Sequence, residues 1–219
     1  MLFHSSVSYN FRVKKVWLFK RGLRSLLGAV ALGASGCVTE LPPLANPDHV
    51  IGSLIVGRVV TVLTGETSRR YLPQVRFMEL ENQDIQKRFQ VEINAPDQYF
   101  AIDGPSGMYK VTRVQISEGP FLSMANLDVE FVVGEATVNH VGTWRFGVES
   151  PRYGRKVLVS SIADQEERER VRLFLKEQYP KFDERTMEET LPQPSQIETR
   201  LYEVMPYPRY PRYFRRHWW

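Results

Sequence analysis

The sequence predicts a mainly β protein, a single antiparallel β-sandwich of seven to eight strands with one short C-terminal helix and a disordered tail. Three observations predict it. Between Ser53 and about Ile162 apolar residues recur with a period of two, in short runs. Gly-, Pro- and Asp-containing clusters separate those runs at the spacing of β-turns. Near residue 164 the period changes once, to that of a helix.

Along the chain, Leu54–Leu63 is a nearly continuous apolar, β-branched run, as a strand with much burial requires. Phe89, Val91 and Ile93 alternate with Arg88, Gln90 and Glu92, and Leu127, Val129, Phe131 and Val133 with Asp128 and Glu130. Further strands are expected over 74–80, 99–102, 108–116, 137–146 and 156–162. Turn chemistry stands at Thr64-Gly65-Glu66, Asn94-Ala95-Pro96-Asp97, Asp103-Gly104-Pro105-Ser106-Gly107, Glu118-Gly119-Pro120 and Gly134-Glu135. Asp164 followed by Glu167 has the spacing of a capping box. Val171, Phe174 and Leu175 then share one helical face, and Pro180 stops the helix, which is expected across one end or edge of the sandwich.

The ends differ from this body. Residues 1–36 hold six basic side chains and no acid, then an apolar stretch, Leu26–Leu32, and small residues up to Cys37. Basic head, apolar centre and small-residue exit form the order of a signal peptide, and the apolar stretch is far short of the roughly 20 residues that span a bilayer. The string Ala34-Ser35-Gly36-Cys37 resembles the lipobox of bacterial lipoproteins, with Ala34 where the family most often has Leu. That resemblance implies cleavage before Cys37, diacylglycerol on its thiol and attachment to a membrane. An ordinary secreted protein with a stray thiol is the alternative, but Cys37 is the only cysteine in the chain and stands where the family needs it. Val38, rather than Asp, follows it, which resembles lipoproteins sorted to the outer membrane, facing the periplasm or cell surface.

The segment 37–52 is proline-rich and aperiodic and is expected to be a lipidated tether, with the sandwich and closing helix over 53–180. Phe100-Ala-Ile-Asp-Gly-Pro-Ser-Gly-Met-Tyr109-Lys-Val looks like the strand, Pro-x-Gly-x-Tyr turn, strand unit of transthyretin-like domains. The same unit occurs in carboxypeptidase regulatory-like domains and in uncharacterised bacterial lipoproteins. Phe131-Val-Val-Gly134 with Val138-Asn-His-Val-Gly142-Thr143-Trp-Arg-Phe146 resembles their penultimate strand pair, and Tyr179-Pro180 the end of their closing helix. The resemblance covers roughly residues 53–180 and implies the fold. It implies little about function, because such sandwiches host many roles.

Charge excludes one function class. Of the 29 Lys and Arg residues, six leave with the leader, so residues 37–219 carry 23 against 25 acids, a net −2. Five Arg and one Glu lie in the last twenty residues, so 37–199 carries −6. An acidic body is not a nucleic-acid-binding surface. Residues 181–219 read as a flexible Pro/Arg/Tyr-rich tail, whose polar first part, 181–200 with Leu191-Pro-Gln-Pro-Ser in the middle, reads as linker. Within it Tyr207, Tyr210 and Tyr213 recur every three residues, as do Arg209, Arg212 and Arg215, and Arg216, Trp218 and Trp219 follow. Polyproline II turns once per three residues, which would align these side chains in stripes suited to an anionic headgroup or an envelope protein. A tail with no specific partner is the equal alternative.

No catalytic or cofactor motif appears: no Gly-x-Ser-x-Gly, phosphate loop or His-Glu-x-x-His, and no histidine cluster of metal-ligand spacing. His140 is read as a packing residue, Asp103 as bonding its own turn, Asp128 and Glu130 as a solvated strand face, and Asp164, Glu166, Glu167 and Glu169 as a cap and charged surface. The expected function is a membrane-anchored, non-enzymatic interaction or envelope-structural module. The alternative is a small-ligand or glycan-binding module, whose mark would be exposed aromatics on one face, drawn from Tyr71, Tyr99, Trp144 and Tyr153.

Overall fold

A computed structural model describes residues 38–64, 71–135, 138–149, 155–182 and 187–204, all within the compact unit that runs from Cys37 to Trp219. The described chain is mainly β, with two packed sheets and one α-helix. In chain order the strands are β1 (Val38–Leu41), β2 (Ser53–Thr64), β3 (Gln74–Asn82), β4 (Lys87–Glu92), β5 (Asp97–Gly104), β6 (Gly107–Glu118), β7 (Phe121–Val133), β8 (Val138–Glu149) and β9 (Lys156–Ile162). The helix α1 (Gln165–Gln178) and a 3-10 turn (Pro180–Phe182) follow, then β10 (Met187–Glu189), β11 (Gln196–Arg200) and β12 (Tyr202–Val204).

One sheet has the order β1-β4-β3-β6-β7-β12, the other β11-β9-β8-β2-β5, with β10 paired to β8. The expectation of a purely antiparallel sandwich of seven to eight strands is thereby corrected. Both sheets are mixed: β1 runs parallel to β4, and β8 lies between β2 and β9, parallel to β2 and to β10. Strand β2, between β8 and β5, is covered on both faces, which is why its apolar run is nearly continuous rather than alternating. Ile55 and Val59 face the inter-sheet core, and Leu54 and Val56 the opposite side, beneath α1.

The core between the sheets is built by the alternation seen in the sequence. Phe89, Val91 and Ile93 point in, as do Leu127, Val129, Phe131 and Val133, while Asp128 and Glu130 stay exposed. Tyr109, fully buried, stacks on Phe131 at 5.6 Å and donates its hydroxyl to the Pro105 carbonyl at 2.8 Å, which fixes the β5–β6 turn from inside. Gly57 lies where a Cβ would stand 2.6 Å from the Phe100 ring, so only glycine lets that ring fill the core.

Asp164 caps α1 through Oδ1, which accepts from the Glu167 amide at 2.8 Å. Val171 and Leu175 are buried against Leu54, Val56, Ala101 and Val138, a burial that stabilises by roughly 2 kcal/mol per side chain. The helix therefore lies on the outer face of the β2-containing sheet, not across an end or edge, because β2, β5 and β8 carry apolar residues on that face too.

Two further corrections concern the flanks. Residues 38–52 do not form a loose tether: β1 pairs with β4, and residues 43–45 then cross to the other sheet, where Ala45 N donates to Ala101 O and Ala101 N to Pro43 O, each at 2.7 Å. Residues 187–204 are not a linker. Gln193 exchanges backbone hydrogen bonds with Glu130 of β7, β11 pairs with β9, and β12 returns to β7. Each flank is thus a seam joining an edge of one sheet to an edge of the other, and together they cover strand edges that would otherwise be open to pairing with other chains. Leu41, Ile197 and Leu201 pack partly buried against the core as they cross.

Registers fix the ends of the sandwich. Val38, Arg88, Glu81, Lys110 and Glu130 form one row across five strands. At that end β1, β2, β4, β6 and β8 begin and β3, β5 and β7 finish. Val204 pairs with Leu122, eight residues back along β7 from Glu130, so the last described residue stands about 25 Å away, at the opposite end.

Candidate functional site

A polar cluster lies where α1 crosses the sheet, and it begins with an irregularity in β8. Pairing between β2 and β8 shifts register between Val56 and Arg58, and Gly142 absorbs the extra residue at φ +77°. Before the bulge Val138 faces the helix and Val141 the core. After it Thr143 faces the helix, and Trp144, Phe146 and Val148 fill the core. A Cβ on Gly142 would stand 2.9 Å from Ser161 Oγ and 3.0 Å from Ile162 O, so glycine is required by both conformation and space.

The bulge brings Thr143 to Glu167, which it reaches at 2.9 Å through its hydroxyl. Arg58 Nη1 lies 3.0 Å from each Glu167 carboxylate oxygen. The same guanidinium forms a fork with Asp97 at 2.7 Å on both arms and lies 5.5 Å from the centre of the Tyr99 ring, which in turn stacks on Phe174 at 4.8 Å. Asp97 holds Arg58 more firmly protonated, and Arg58 lowers the Asp97 carboxyl below its ordinary range. Glu167, 4% exposed, thus spends its carboxylate on sheet residues instead of reaching back to the helix start as a capping box would. Each charged group in the cluster is paired, and Glu167 is buried while Asp97 remains half exposed, so the arrangement locks the helix to the sheet.

His140 lies beside this cluster, fully buried in β8. Neither ring nitrogen has a hydrogen-bond partner among the described residues. Burial lowers its pKa, Glu189 and Glu167 act in the opposite direction, and Arg168 adds to the lowering. The packing role read from the sequence is its position here.

The other expected residues do not converge. Asp128 is exposed and paired with Lys110 at 2.5 Å, and Glu130 is the cross-strand partner of the same lysine, which makes this a charged outer face. Glu166 pairs with Arg170, and Glu169 with Arg172, on the surface of α1. Asp103 does not bond its own turn: its carboxylate accepts from Ile51 N at 3.0 Å and Gly52 N at 2.9 Å, closing the loop before β2. It also lines a cleft of about 210 Å³ with Leu41, Pro42, Ala45, Asn46, His49 and Ile102, in which Asn46 Oδ1 already accepts from the Asp48 amide. Among the described residues no group of three or more His, Cys, Asp or Glu side chains has metal-holding geometry.

The aromatic candidates for glycan binding separate as well. Trp144 is buried in the core, Tyr99 is covered by Phe174, and Tyr71 packs over Gly119 ahead of β3. Tyr153, Cys37 and the tail residues Tyr207, Arg209, Tyr210, Arg212, Tyr213, Arg215, Arg216, Trp218 and Trp219 lie outside the described residues. Sequence reasoning missed Arg58, Asp97 and Thr143. The signal for Arg58 was available, since it is the one charge inside the apolar run of β2.

No described helix is long and apolar enough to cross a membrane. No protein-family model, curated protein or solved structure matches the chain.

Proposed function

We propose that the protein is a lipid-anchored, non-enzymatic module of the bacterial envelope, held by acyl chains on Cys37 and sorted to the outer membrane. One observation carries the reading. The only cysteine of the chain ends a leader-like segment and directly precedes Val38, the first residue of a strand hydrogen-bonded into the sheet. A lipid on that residue would hold the fold itself, without a spacer. The saturated Arg58–Glu167 cluster, the sealed His140 and the solvated Asp128/Glu130 face support an interaction or structural role over chemistry. The tail from Tyr207 to Trp219 is the proposed contact for an anionic partner. Its attachment beyond Val204, at the end opposite Val38, favours a partner on the far side from the anchor.

The test is labelled-palmitate incorporation in cells expressing the full chain or Cys37→Ser, followed by separation of inner and outer membranes. The wild type should carry label in the outer-membrane fraction, and the variant none. Label that survives the substitution overturns the anchor.

A further inference from the structure

We infer that the end of the sandwich at which β1 begins is a bilayer-docking face, entering the headgroup–acyl boundary of the membrane that holds the Cys37 lipid. The inference rests on the lipid-anchor reading above and adds to it an orientation and a set of contact residues.

Val38 is fixed in register with Arg88, and consecutive Cα atoms are about 3.8 Å apart, so an acylated Cys37 has no slack with which to stand off from the fold. The bilayer must meet the sandwich where β1 enters it. That end presents aliphatic side chains to solvent from both sheets. Ile51, in the loop before β2, is 93% exposed, and Ile85, in the β3–β4 turn, is 54% exposed. Met108 and Val132 are cross-strand partners on the outer face, 37% and 50% exposed. The turn carrying Ile85 is tied to that pair, because Gln83 N donates to Met108 O and Met108 N donates to Asp84 Oδ2.

These side chains are fixed from behind. Asp103 holds the amides of Ile51 and Gly52, and Asn82 Oδ1 accepts from the amides of Asp84 and Ile85 at 3.1 and 3.2 Å. Polar side chains pin the two loop tips from inside, which leaves Ile51 and Ile85 outward. The end also carries the acids Asp84 and Glu135 beside Lys87, so attraction to anionic lipid does not drive the contact. Apolar insertion a few ångströms deep, as in interfacial anchors, fits this composition and is insensitive to salt.

The experiment uses the full lipidated protein in phosphatidylcholine vesicles. Because Cys37 is the only native cysteine and its thiol would be acylated, Ile51→Cys, Ile85→Cys and Val132→Cys each supply one reactive thiol for an environment-sensitive fluorophore. Leu72→Cys, 77% exposed ahead of β3 at the opposite end, is the control. Quenching by a spin label on the upper acyl chain should be several-fold stronger at 51, 85 and 132 than at 72, and unchanged by salt. Acylated Cys37, verified by intact mass, with quenching at 51 and 85 no greater than at 72 overturns the docking face and leaves the anchor standing. An intact mass without acyl groups overturns both.

Discussion

Arg58 Nη1 stands 3.0 Å from both carboxylate oxygens of Glu167, so a charge pair on β2 and α1 joins helix to sheet at the first turn of the helix. Their side chains are 14% and 5% exposed. Arg58→Ala leaves the Glu167 carboxylate without its closest cation and should destabilise by about 3 kcal/mol in urea unfolding, whereas Glu167→Ala leaves Arg58 still forked to Asp97 and should cost less. The double variant should cost clearly less than the sum, and strict additivity would show that the pair is not coupled. Asp97→Asn is the contrast. Its side chain is 52% exposed despite two 2.7 Å hydrogen bonds, and it should cost about 1 kcal/mol or less.

His140 makes the fold sensitive to mild acid. Its folded pKa is lowered by burial, with Glu189 of β10 and Glu167 of α1 favouring the charged ring and Arg168 of α1 opposing it. The unfolded chain takes up this proton as pH falls through about 6.5 and the folded chain only at lower pH, so stability present above that pH is lost as pH falls below it. The loss is at most about 1.4 kcal/mol per pH unit. The lowered Asp97 carboxyl acts in the same direction but only at more acid pH. Between pH 7 and 5, stability of the wild type should fall and that of His140→Leu should stay nearly flat. An equal slope in both proteins would remove His140 from the account.

Gly142→Ala tests the bulge. Its left-handed backbone costs any other L-residue about 1–2 kcal/mol, and the new methyl would also meet Ser161 and Ile162. A melting temperature within a degree of wild type would show that β8 repacks without the bulge.

The C-terminal seam is tested by a chain ending at Pro192. It loses β11, β12 and the half-buried Ile197 and Leu201, a loss of at least about 2 kcal/mol from apolar burial alone. The exposed edges of β7 and β9 should then promote self-association, visible by size exclusion. Unchanged stability and a monomeric profile would count against a structural role for residues 193–204.

The parts of the fold legible in sequence are those whose pattern is local. Phe89, Val91 and Ile93 alternate because β4 has one face on the core, and Asp164 announces α1 because a cap bonds three residues ahead. The flanks were not legible. β11 holds one apolar residue, Ile197, among Gln196, Glu198, Thr199 and Arg200, and its pairing with β9 is a long-range choice that no local period records. The parallel alignment of β2 with β8 is hidden for the same reason, since more than seventy residues separate Leu54 from Val138. Arg58 is the one charge in the apolar run of β2 and could have been singled out there, but its partner Glu167 read as an ordinary cap position. The Thr143–Glu167 contact in turn depends on the Gly142 bulge, which turns Thr143 toward the helix.

The two seams also define how the molecule would bear tension. β1 enters at one end and runs into the sheet alongside β4, while β12 leaves at the other end alongside β7. A pull between a bilayer at Cys37 and a partner on the tail acts along both strand axes. It loads the hydrogen bonds of each seam together, in shear, instead of peeling them one at a time. On the proposed anchoring, both seams would be gripped in the direction that resists extraction, and the load would pass from one to the other through β4, β3, β6 and β7.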